Sequence, residues 1–82
     1  MAVVLLPGLL ATEAGGRKQF DVDAATVGDA LRSLPVHDLV LDEGGEVRPL
    51  VHVYLDGQRV RDLEAAVTAT SQLRIVAAIA GG

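Results

Sequence analysis

Thr26-Val27-Gly28-Asp29-Ala30-Leu31-Arg32-Ser33-Leu34-Pro35 holds the clearest helix signal in the chain, and the architecture follows from it. Thr26 is placed to cap the free N–H groups of a first turn. Asp29, three residues on, completes a capping-box pattern and puts a negative charge near the helix's positive end. Val27, Ala30, Leu31 and Leu34 fall at i, i+3, i+4 and i+7, which is a single apolar stripe. Pro35 stops the helix. So short a helix is not stable by itself, so its stripe must pack on a sheet.

The flanking segments supply that sheet. On the N-terminal side, residues 2–6 (Ala-Val-Val-Leu-Leu) are continuously apolar, with β-branched Val3 and Val4, as in a buried central strand. Pro7 ends it, because a proline cannot donate to a ladder from inside a central strand. A loop is expected from Gly8, with Gly15-Gly16 supplying positive-φ turn positions. Arg17 to Val22 alternates Lys18, Phe20 and Val22 against Arg17, Gln19 and Asp21, a half-buried hairpin partner for the first strand.

On the C-terminal side, residues 36–48 read as a connector. Val36, Leu39, Val40 and Leu41 suggest a helical turn or a short extended piece, and Asp42-Glu43-Gly44-Gly45-Glu46 a solvated acidic turn. Leu50-Val51-His52-Val53-Tyr54-Leu55 is a strand by composition. Asp56-Gly57 is a turn signal and Gln58 to Arg61 a return strand. Residues 63–69 fit neither period cleanly. After a turn at Thr70-Ser71, Gln72 to Ala77 is the last strand, with Leu73, Ile75 and Ala77 toward the core and Arg74 and Val76 away from it. The predicted order β–β–α–β–β–β describes an α+β fold. It is a mixed sheet of four to five strands packed on one main helix, the β-grasp or ubiquitin-like layout. The expected division is a domain over residues 1–76 and a flexible tail over 77–82.

That tail, Ala77-Ala78-Ile79-Ala80-Gly81-Gly82, closes the sequence on two glycines. Such an end is thin, free of side chains and carries a main-chain carboxylate. It suits threading into another protein's active site, where the carboxylate is the reacting group. The six residues from Ala77 reach at most ~20 Å when extended.

Composition narrows the function classes. The formal charge of −4 and the presence of only two aromatics, Phe20 and Tyr54, argue against nucleic-acid binding by a basic face or a stacking platform. With no cysteine there is no disulfide, thiolate metal site or cysteine nucleophile, which fits a cytoplasmic protein. His37 and His52 lack a metal-ligand spacing, so no metal site is expected. Ser33 and Ser71 have no nucleophile-elbow context, and no phosphate-binding glycine motif occurs. No catalytic residue is assigned. The N-terminal apolar run has no Lys or Arg before it and is interrupted by Pro7-Gly8, so it is read as a strand and not a signal peptide. No stretch approaches the ~20 apolar residues of a membrane span.

Three stretches together resemble the MoaD/ThiS family of ubiquitin-like sulfur carrier proteins over nearly the whole chain, most of all the CysO-type carriers. They are Leu6-Pro7-Gly8-Leu9-Leu10 followed by Gly15-Gly16-Arg17-Lys18; Thr26-Val27-Gly28-Asp29-Ala30-Leu31; and Val51 to Gly57 with Val60-Arg61, then Ala78-Ile79-Ala80-Gly81-Gly82. The chain departs from many relatives in having Thr70-Ser71-Gln72 in place of a Gly-Asp turn, and Ala77-Ala78 where they carry a proline.

The resemblance implies a carrier that is a co-substrate and not an enzyme. An E1-like adenylyl- and sulfurtransferase of the MoeB/ThiF type would use ATP and Mg²⁺ on the Gly82 carboxylate, and sulfur would then replace AMP to leave a thiocarboxylate. No cofactor is held permanently. Gly81, Ala80 and Ile79 form the tail behind Gly82. A sulfur-accepting synthase of the cysteine or thiosugar type is the second partner; molybdopterin synthase and thiamin assembly are alternative destinations. A docking patch is expected on the sheet face away from the helix, built from Val76, Val60 and Leu6 and rimmed by Arg74 and Arg61. A modifier joined to lysines, or a β-grasp interaction module without a reactive end, are the competing readings.

Overall fold

The computed structural model describes residues 1–77. Its elements are β1 (Ala2–Leu5), α1 (Gly8–Glu13), β2 (Gln19–Val22), α2 (Val27–Arg32), α3 (His37–Val40), β3 (Val51–Leu55), β4 (Gln58–Val60) and β5 (Gln72–Ala77). The five strands form one mixed sheet in the order β2-β1-β5-β3-β4. β1 runs parallel to β5, and every other pair is antiparallel. This is the β-grasp arrangement that the order of elements predicts.

The main helix is capped from two sides. Thr26 Oγ1 accepts from the Asp29 N–H at 3.2 Å. The Val27 and Gly28 N–H groups, which have no partner within a helix, donate to Ala65 O at 3.0 Å and Leu63 O at 2.8 Å. Residues 63–69, ambiguous by period, are neither helix nor strand. They form a strap whose carbonyls close the first turn of α2. Gly28 fits because a Cβ there would lie 3.2 Å from the same Leu63 oxygen. α2 ends at Arg32, and Leu34 enters the core from the turn that follows, where Ser33 Oγ donates to Ala30 O at 2.8 Å.

All four stripe residues, Val27, Ala30, Leu31 and Leu34, are buried, against Val4, Val53, Leu73 and Ile75 from the sheet. Each of the larger side chains contributes about 1.5–3 kcal/mol by leaving water.

One feature departs from the sequence expectation. Gly8 does not begin a loop: Gly8–Glu13 is a helix with Pro7 at its N-cap, burying Leu10 and Ala11. Pro7 is compatible with a helix start, and Leu-Leu-Ala-Thr-Glu contains good helix formers. The Gly15-Gly16 turn does follow, at φ +73° and +89°. The connector is resolved in favour of one helical turn, α3, which buries Val40.

Asp56 at φ +49° and Gly57 at φ +88° form the tight β3–β4 turn. The same Asp56 reaches the start of β5: its Oδ1 accepts from Gln72 N at 2.9 Å, and its own N–H donates to Gln72 O at 2.9 Å. Ser71, in the turn that replaces Gly-Asp, is the buried polar residue of the described chain. Its hydroxyl accepts from Thr68 N at 2.9 Å.

Candidate functional site: the open sheet face and the exit of β5

β5 is the central strand, held by β1 on one side and β3 on the other. The strand that leads to the glycine end is thus paired on both sides. Pairing persists to Ala77, opposite Val51, one residue into the stretch expected as tail. Ile79, Ala80, Gly81 and Gly82 lie outside the described residues.

The helices cover one face of the sheet and leave the other open. On a strand, directly opposed residues share a face, so the register defines the open face. One row crosses it as Gln19, Leu5, Arg74, Tyr54 and Arg59; a second pairs Val76 with His52. Val76 is 39% exposed, and Arg59, Arg61 and Arg74 are exposed. Leu5, His52 and Tyr54 are half-buried. Leu5 and Val76 also line a small depression beside Arg74.

Of the five expected patch residues, Val76 and Arg74 stand on this face, and Arg61 is exposed just past β4. Two are corrected. Leu6 is only 7% exposed, because it continues the inward alternation of Ala2 and Val4; its neighbour Leu5 takes the outer position. Val60 is opposed to Val53, which is 1% exposed, so it packs against the core from the helix side. Leu5, Tyr54 and Arg59 were missed. Strict period-2 counting from Val4 and Val53 was the signal that finds them.

The open side carries Arg59, Arg61 and Arg74, with Asp21 opposite Val3 at its β2 edge, although the chain is acidic overall. Among the described residues the recorded ion pair is Arg32–Asp29 at 2.7 Å, on the helix side. None of Arg59, Arg61 and Arg74 has a carboxylate partner within bridging distance among those residues. Arg32, and then Thr26, hold the Asp29 carboxyl below its ordinary value. No group of three or more potential metal ligands occurs among the described residues.

Neither a family model nor a curated protein sequence matches the chain. Solved structures do. SAMP1 from Haloferax volcanii is 32% identical with TM-score 0.79, the match covering 99% of this chain and 98% of that one. The chain belongs to the MoaD/ThiS family of ubiquitin-like sulfur carriers. A chain of the Amycolatopsis orientalis BexX/CysO complex is 29% identical with TM-score 0.83 and full coverage of both chains, in line with the CysO likeness of the sequence. Mycobacterium tuberculosis CysO, at 21% identity, TM-score 0.85 and coverage of 96% and 100%, shares the fold. These family members are small carriers, and sulfur carriage at the family level is the function this membership supports.

Proposed function

We propose that the Gly82 carboxylate is the reacting group and that everything upstream of Ala78 is its handle. An E1-like enzyme of the MoeB/ThiF type joins the carboxylate to AMP at the expense of ATP, with Mg²⁺, and releases pyrophosphate. Hydrosulfide from the sulfur source then attacks the acyl carbon, forming the C–S bond as the C–O bond to AMP breaks, and loses its proton to leave a thiocarboxylate at Gly82. The chemistry requires this order: a carboxylate is a poor electrophile until one oxygen is part of a leaving group. The resulting sulfur is nucleophilic and covalently held, so it is delivered without free sulfide.

The carrying observation is the position of β5. A central strand paired with β1 as far as Arg74 and with β3 as far as Ala77 fixes the root of the five residues from Ala78 to Gly82. Those five extend at most ~17 Å, and Gly81-Gly82 offers no side chain to obstruct approach to a nucleotide. The chain supplies no catalytic group. Its open face, with Val76, Leu5 and Tyr54 among Arg74, Arg59 and Arg61, docks the partner enzyme. The reading places the protein in the cytoplasm and gives the sulfur to a synthase of the cysteine or thiosugar type.

Incubation with ATP, a sulfur source and the adenylating enzyme, followed by intact-protein mass spectrometry, tests this. Replacement of one oxygen by sulfur is expected; an unchanged mass contradicts it. The likeness to SAMP1, described as a small archaeal modifier protein, favours one second reading: conjugation of Gly82 to lysines of other proteins. Target-linked adducts in a cell lysate would carry that reading.

A further inference from the structure

Three leucines from separate segments converge at the exit of β5 on the helix side of the sheet. Leu9 of α1 is 57% exposed, Leu50, just before β3, 56%, and Leu39 of α3 39%. With Pro49, they and Ala77 line a groove of about 700 Å³. Glu13 and Arg48 stand at its rim, and Arg48 is fixed there by donating Nε and Nη2 to Asp38 O at 3.1 and 2.9 Å. Scattered apolar side chains on a surface need no explanation, but a lined apolar groove does. This one lies on the opposite side of β5 from the open face.

We infer that the groove is a second docking contact, taking an apolar side chain (Leu, Met or Phe) from the enzyme that acts on Gly82. The inference rests on the reading of Gly82 given above. On that reading five residues, Ala78 to Gly82, separate Ala77 from the reacting carboxylate, so an enzyme enclosing Gly82 must approach within ~17 Å of Ala77. At that distance it covers the surface around the exit, and Ala77 itself is groove wall. A second copy of the chain fits less well. A two-fold pairing would set groove against groove and place both β5 exits in the interface. Three leucines and a proline also form an anchor pocket and fall short of the ~800 Å² per partner of a stable dimer. The two contacts clasp β5 from both sides of the sheet and aim the chain end.

The test uses the full chain and its Leu9→Ser/Leu50→Ser variant, both positions being more than half exposed so that the fold survives. Steady-state formation of the Gly82 thiocarboxylate by the adenylating enzyme is measured for each, with sedimentation of each carrier alone. The expected result is a monomer in both cases, a KM raised about tenfold or more in the variant, a nearly unchanged kcat, and recovery by Leu9→Met/Leu50→Met. Equal KM values overturn the inference while leaving the Gly82 reading intact. A wild-type dimer that the serine pair dissociates also overturns it, by assigning the groove to a second copy. Failure of the wild type to gain sulfur overturns the Gly82 reading itself, and this inference with it.

Discussion

Thr26 and Asp29 set the first turn of α2, and both make predictions at the scale of one residue. Thr26→Ala removes the side-chain acceptor for the Asp29 N–H and is expected to cost about 1 kcal/mol. A lower urea midpoint at constant slope checks it. Asp29 is held below its ordinary carboxylate value by Arg32 first and Thr26 second. A depressed folded pKa contributes stability that is complete above the unfolded value of about 4 and is lost as pH falls through the folded one. Asp29→Asn is therefore expected to flatten the acid limb of the stability profile below about pH 4 while leaving the neutral and alkaline limbs parallel. A profile steepened by the substitution would contradict the assignment. The pair is exposed, so the effect is small and salt-sensitive.

At the scale of elements, Asp56 couples a turn to a strand. It holds the positive-φ position of the β3–β4 turn and pairs both ways with Gln72 at the start of β5. Asp56→Ala loses the side-chain bond and adds strain in the left-handed region, for an expected loss of about 1–2 kcal/mol. Asp56→Asn keeps an acceptor and tolerates that region, so it should recover most of the loss in the same denaturation measurement. Leu73, fully buried in β5, should cost about 2–5 kcal/mol as Leu73→Ala.

The elements that were legible in the sequence are those with a long-range period or a local chemical signature: the 27/30/31/34 stripe, the Thr26 cap, the Gly15-Gly16 and Asp56-Gly57 turns, and β3 and β5. What escaped was set by tertiary contact. Residues 63–69 have no period of their own because Leu63 and Ala65 in them answer the free N–H groups of α2. α1 was hidden by the loop signal of Pro7-Gly8, although a proline before a first turn serves a helix start equally well. In the site, Leu6 and Val60 were misplaced by one register step. A single-residue slip moves a side chain to the other face.

For the whole molecule, charge and topology point the same way. A chain of net charge −4 keeps Arg59, Arg61 and Arg74 on its uncovered side, around Val76, Leu5 and Tyr54. A partner with an acidic surface and an apolar ridge is complementary to it, and such complementarity acts mainly through association rate. Arg74→Glu is expected to raise the partner enzyme's KM several-fold, to leave kcat unchanged, and to weaken the dependence of KM on salt. A fall in kcat at constant KM would instead implicate Arg74 in a later step.

The central claim is that the chain end itself reacts, and one comparison tests it most directly. The native chain and a chain with one alanine added after Gly82 are treated side by side with the adenylating enzyme, ATP and a sulfur source, and weighed intact. The account predicts that oxygen is replaced by sulfur in the native chain and that the extended chain keeps its mass, both with the same unfolding midpoint. Equal conversion of the extended chain would show that Gly82 is not the reacting residue and would contradict the account.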